Sequence, residues 1–209
     1  MAKNPHDHLI KLVQKGDPQE FHRYCGEIEA EQLDISGGTF RNLHLSGFDF
    51  SGFNLTNTEW NDCHLTDVTL EECDLTGAYF QGCAWVECRV LHSGLQNCAM
   101  ENCVMRGVTI QDCDLTGSEW SDTQMQDCVL LQGTWEELAW SHLRVDGGLW
   151  KDILSAAGEW RAVTMRGVTF EDADLSGLEA GRCAHTGCTV TRSSLPADLV
   201  ERSGRRRTV

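Results

Sequence analysis

Eleven cysteines and eight histidines are the residues of this 209-residue chain with types suited to redox or metal chemistry. Zinc sites bring Cys or His together in short pairs such as CxxC, and the chain contains no CxxC. Its thiols follow a different arithmetic. Cys63, Cys73, Cys83, Cys88, Cys98, Cys103, Cys113, Cys128, Cys183 and Cys188 are spaced by multiples of five, and only Cys25 stands outside. Thiols twenty residues apart, such as Cys63, Cys83 and Cys103, would point in parallel, which is poor disulfide geometry. Free Cys packs as a small hydrophobe, so these ten are expected to be buried and inert. His44 and His64 share the same spacing and are expected side by side on the surface. The next position in that row is Ala84, so a third metal ligand is missing. No nucleophile stands beside a base in the pattern, so no catalytic residue, metal ligand or cofactor is assigned.

Carboxylates are the remaining chemistry. Asp plus Glu total 32 against 17 Lys plus Arg, a formal charge of -15. Phosphate binding needs clustered cations, so this balance argues against direct contact with nucleic acid or an anionic membrane. It favours a basic partner, or simply solubility. The chain has no run of 18 apolar residues, and it does not start with a basic-then-apolar leader. A cytoplasmic protein is expected.

The elements that position these groups follow from the same period. Every fifth residue from Ile35 to Leu195 is large and apolar, except Ser155, Ala180 and His185, and the register holds over 33 repeats. Two residues before each lies a second inward row, mostly Cys, Val, Ala, Ser, Thr or Gly. Helices repeat at 3.6 and strands at 2, so neither gives this pattern. A chain that turns a corner every five residues does. Four corners close a coil of twenty, and coils stacked at about 4.8 Å make a rod roughly 40 Å long. The expected fold is an all-β solenoid, a right-handed quadrilateral β-helix of about eight coils.

Bulky Trp residues face small partners two residues earlier, as in Gly133 with Trp135 and Gly148 with Trp150. A narrow tube must conserve volume. Leu138 beside Trp140 breaks that rule, so a bulge or widening is expected between about 131 and 160. An N-terminal helical cap is expected over 1–32, with Gly16 as a stop, Asp17 as N-cap and Pro18 opening a second helix. The β-helix is assigned to 33–197, with Pro196 starting a short cap, and a basic C-terminal tail to 198–209.

Segments such as Cys73-Asp-Leu-Thr-Gly77, Cys113-Asp-Leu-Thr-Gly117, Phe53-Asn-Leu-Thr-Asn57 and Ala173-Asp-Leu-Ser-Gly177 resemble the A(D/N)LXX motif of the pentapeptide-repeat family. In its cysteine-rich rows and unbroken coils the chain is similar to the Qnr-type and MfpA-type members. That resemblance implies a DNA-mimicking rod that binds DNA gyrase or topoisomerase IV and protects it from inhibitors, an antibiotic-resistance role. The chain lacks the two projecting loops of the Qnr type, and no C-terminal dimer element is evident, although a homodimer stays open.

The charge has a side. Four faces are defined by coil position, centred on residues 35/55/75, 40/60, 45/65 and 50/70, and are called the first to fourth faces below. The first carries Asp34, Asp74, Asp114, Glu136, Glu137 and Asp174 and no Lys or Arg. The second and fourth are also acidic, and the third is nearly neutral. The first face is therefore the expected partner-binding surface, its side chains pointing outward. The alternative is a scaffold or adaptor that docks another protein through the rod or the N-terminal helices, with Leu131, Leu149 and Leu154 as an apolar contact patch.

Overall fold

In the computed structural model, which describes residues 4–201, the five-residue period becomes a parallel β-solenoid with two short helices at its N-terminal end. Three-residue strands stack into three parallel sheets of eight, nine and seven strands, on the second, third and fourth faces. The first face is held by single bridges, from Asp34↔Asn54 to Asp174↔Ser194. Partners along the rod are twenty residues apart, as in Phe40↔Trp60 and Met105↔Met125. This is the expected quadrilateral β-helix of about eight coils.

The corner explains the period. The residue two places after nearly every core position takes the left-handed conformation, as Asn42, Asp62, Asp67, Glu72 and Gly77 do. Gly, Asn and Asp reach that region at least cost. The residue before the corner can then point into the tube. Ile35, Leu55, Leu75, Leu95 and Leu115 are all fully buried.

The second inward row has a chemical reason for being small. At many corners a core-position carbonyl of the preceding coil can accept a bond from this row. Cys73 Sγ donates to Phe50 O at 3.0 Å, Cys83 Sγ to Trp60 O at 3.3 Å and Cys113 Sγ to Val90 O at 3.4 Å. Ser93 Oγ does the same for Leu70 O at 3.2 Å. A compact side chain that is apolar enough to bury and still able to donate suits this place, and Cys and Ser both qualify.

Between 131 and 160 the rod is irregular, as expected, although no residue is inserted and the pairing stays at twenty. The strands Leu138–Ser141 and Gly158–Arg161 gain a residue each. From Ile35 to Leu115 on the first face a turn bond closes each corner, for instance Ala78 N–H to Leu75 O at 2.9 Å. Trp135 O has no such bond, and Ser155 Oγ donates to it instead at 2.6 Å. A serine therefore occupies a core position because it replaces the missing turn bond. Leu138 is accommodated by its neighbours along the stack, Ser118 before it and Gly158 after it. Volume is conserved between coils as well as within a pentapeptide.

At the N-terminal end, α1 (Pro5–Lys15) and α2 (Pro18–Cys25) close the tube. Gly16 ends α1 in the left-handed region, and Asp17 caps α2 by accepting from Gln19 N–H and Glu20 N–H. Phe21 is fully buried, with its ring 5.2–5.5 Å from those of Phe48, Phe50 and Phe53. At the other end the chain abandons its period after residue 195. Pro196 and Leu199 are buried, and Val200 pairs with Ala184, sixteen residues back, so the second-face sheet gains no further rung. The Arg-rich segment from 202 onward lies outside the described residues.

This burial has a measurable consequence for the thiols. Nine of the eleven are buried, but Cys25 and Cys188 are half-buried. The expectation for Cys188 is thus corrected, because it sits in the terminal coil with little above it. Burial pushes Cys88 and Cys113 up to about 11 and Cys98 up to about 12, so little reactive thiolate exists near neutral pH. Burial also lifts Cys25 to about 11. With a thiol reagent at pH 8, Cys188 and Cys25 should label first, and the other nine only on unfolding. The Cys25 rate should keep rising with pH up to about 11, and fast labelling of Cys98 would contradict this packing.

Candidate interaction surface

The first-face aspartates hold the fold as well as the charge. Asp34 Oδ1 accepts from Ser36 N–H at 2.7 Å, Asp74 Oδ1 from Thr76 N–H at 2.9 Å and Asp114 Oδ1 from Thr116 N–H at 3.0 Å. Asp174 makes the same turn with Ser176, and Asn54 with Thr56. In each case a short side chain caps the turn two residues on, which ranks Asp and Asn above other residues there. All four quoted A(D/N)LXX segments lie on this face for that reason. In Asp34, Asp74 and Asp174 one carboxylate oxygen faces the backbone and the other remains for solvent or a partner, whereas in Asp114 the second oxygen also accepts from the Gln96 amide.

These bonds favour the ionised form of Asp114 and Asp174. Burial raises Asp114, but the Thr116 hydroxyl and N–H and the Gln96 amide, 2.8 Å away, outweigh it and leave the pKa below the ordinary value. The Ser176 hydroxyl and N–H hold Asp174 down in the same way. Groups depressed in the folded state stabilise it above their unfolded pKa, and that contribution is lost as pH falls through the folded pKa.

The six acidic residues are brought onto one face but not into one cluster. Asp34, Asp74 and Asp114 stand two coils apart, roughly 10 Å, and Asp174 three coils further. Asn54, Gly94, Thr134 and Leu154 fill the intervening rungs. Glu136 and Glu137 are exposed at the corner of the irregular coil. Leu154 is 59% exposed in the same row, whereas Leu131 and Leu149 are half-buried on the fourth face, in neighbouring coils but different columns. Leu154 is therefore set apart from the other two by a corner.

A second acidic row escapes the sequence reading. On the second face Glu119, Ala139, Glu159 and Glu179 follow one another along the stack. With Tyr79, Glu101 and Ala99, residues of this row line an open depression of about 450 Å³. Tyr79 donates to Glu101 at 2.6 Å, a bond that pushes the phenol up to about 12. Glu159 beside Glu179 places like charges on adjacent rungs, which costs stability and is not needed by the fold. The same five-residue arithmetic finds this row once the columns on each face are read separately.

His44 and His64 stack as expected, with ring centroids 4.6 Å apart. Among the described residues, no group of three or more His, Cys, Asp or Glu is placed to hold a metal. His185 is half-buried at a core position of the last full coil, with Nδ1 unpartnered. Among the described residues, no helix is long and apolar enough to cross a membrane.

A four-sided parallel solenoid that carries its charge in rows on the outside defines the class of this molecule. The family model of pentapeptide repeats matches residues 44–82 in eight copies, and the same coil continues well beyond that stretch. Residues 44–82 are thus pentapeptide repeats, and the coils beyond them keep the same fold. Among solved structures, it is similar to trypsin-treated QnrB1, described as a plasmid-mediated fluoroquinolone resistance protein. That likeness is 16% identical over 80% of this chain and 92% of the other, with a TM-score of 0.51. HetL, a pentapeptide repeat protein involved in heterocyst differentiation regulation from the cyanobacterium Nostoc, is 12% identical over 85% and 92%, with a TM-score of 0.40. At such identities the likeness is one of fold. A search of curated proteins finds no match to the sequence.

Proposed function

We propose that the rod is a non-enzymatic binding protein that mimics DNA, docking in the basic DNA-binding surface of a type II topoisomerase, gyrase or topoisomerase IV, and shielding it from inhibitors. The observation that carries this reading is the cation-free first face, flanked by two acidic faces on a rigid rod roughly 40 Å long. Asp34, Asp74 and Asp174 cap turns, yet each keeps an oxygen outward.

Binding should weaken as salt rises, and duplex DNA should compete for the same enzyme surface. Because the first-face aspartates cap turns, the informative substitution keeps the acceptor and removes the charge. Asp74→Asn, Asp114→Asn and Asp174→Asn together imitate Asn54 and should leave the circular dichroism spectrum unchanged. They should weaken topoisomerase binding at least tenfold, while Glu87→Gln on the third face changes it less than twofold. Binding that is absent at low salt, or that survives the triple substitution, would remove this reading.

Leu154, exposed in the middle of the acidic row, favours a second reading as an adaptor. If Leu154→Ser abolishes capture of the partner and the Asp→Asn set does not, the partner reads an apolar contact.

A further inference from the structure

The third face is the nearly neutral one among three acidic neighbours. Arg106, Arg144 and Arg166 are exposed there, and none makes an ion pair among the described residues. Elsewhere on the rod Lys151, Arg161 and Arg192 find carboxylate partners, whereas Arg41, Arg89 and Arg182 stand singly among acidic faces. Two shallow depressions of about 250 and 390 Å³ lie on the third face and one of about 510 Å³ at its corner with the second, and Arg144 borders all three. Arg144 and Arg166 stand on adjacent strands at diagonal positions, with Thr164 and Asp146 completing the square. Diagonal side chains of this kind are about 7–8 Å apart, so two guanidinium groups can converge on one chain.

We propose that this half of the third face is a second docking surface, which takes a narrow carboxylate-rich segment of a protein. Residue choice supports carboxylate as the ligand. The rod's bases are Arg with the single exception of Lys151, and the planar guanidinium pairs with carboxylates through two parallel bonds where Lys offers a point charge. Charge complementarity favours a segment over a duplex. The outward strip is three residues wide, roughly 10 Å. It is bordered by Asp122 and Asp127 at its corners, both left-handed and exposed. A nucleic-acid duplex, with a phosphate charge every 1.7 Å or so of its axis, would press against those carboxylates. A single acidic strand fits between them. The rod would then join two proteins, one basic and one acidic, on opposite sides, and this holds whatever protein the first face binds.

The test is fluorescence anisotropy of a labelled peptide of about ten glutamates, at low salt, with the full chain. Saturable binding is expected. Arg144→Gln with Arg166→Gln, which copies the natural Gln124 and Gln126 of the same two columns, should weaken it at least tenfold without altering circular dichroism. Arg41→Gln on the second face should change it less than twofold. Absence of saturable binding overturns the proposal. So does an equal loss with Arg41→Gln, which would mean bulk charge alone, or tighter binding of duplex DNA through the same two arginines.

Discussion

Replacing Leu115 with Asp should leave no folded rod at 25 °C. Leu115 is fully buried in the middle of the solenoid, with coils stacked on both sides. The change removes a side chain whose loss alone costs about 2–5 kcal/mol. It also places a carboxylate where no cation or donor can reach it, adding several kcal/mol more. Native domains hold only about 5–15 kcal/mol in total. A far-UV spectrum without the β signal, and immediate labelling of all eleven thiols, is the expected outcome. Leu115→Met, which keeps volume and polarity, should cost less than about 1.5 kcal/mol. A cooperative melt of the Asp variant near the parent temperature would mean that the tube holds water.

The second large effect is at a glycine. Gly148 has φ +96°, and a Cβ built there would lie 2.1 Å from Cys128 O in the coil below. That neighbour is backbone and belongs to the sheet, so it cannot rotate aside. Gly148→Ala combines strain at a disfavoured φ with overpacking, each about 1–3 kcal/mol. The midpoint of chemical unfolding should fall by an amount worth about 3 kcal/mol, with an unchanged m-value. Gly167 is also left-handed, but nothing lies within 4 Å of the place its Cβ would take, so it supplies the contrast. Gly167→Asn should cost well under 1 kcal/mol, since Asn and Asp fill the same corner elsewhere. Equal losses at the two sites would show that φ alone, and not the approach of Cys128, sets the cost.

Much of the fold is legible in the sequence because one repeated corner builds nearly all of it. The core row, the small inward row and the cap formed by Gly16, Asp17 and Pro18 each follow from a local rule that sequence obeys directly. The Gly–Trp pairing is visible too, but volume is only half of its cause. Gly133 and Gly148 make room for an indole, and they also occupy backbone that a Cβ would drive into the preceding coil. In the sequence Ser155 stands out as a weak core position. In the fold it replaces a turn bond at Trp135, which depends on hydrogen bonds across coils. The exit of the chain after 195 has no periodic signal, because it is a departure from the period.

The interaction surface is less legible for a physical reason. Asp is selected on the first face for the turn it caps and at the corners for the left-handed conformation it tolerates. Its presence there carries information about folding before any about a partner. Glu119, Glu159 and Glu179 serve neither purpose, so that second-face row is less confounded by folding. The unpaired arginines of the third face cannot be found from composition, since a net charge of -15 gives no hint of which bases lack a neighbour.

The constant offset of twenty makes the rod behave as a ruler. Adding or deleting one full coil would shift everything beyond it by a single strand spacing, about 4.8 Å, and leave each residue on its own side. The distance between two surface features can therefore change in fixed steps while their orientation about the axis is preserved. An insertion of any other length would rotate or break the remainder. Lineages carrying this architecture can adjust reach and facing independently, which a globular domain of the same size cannot do.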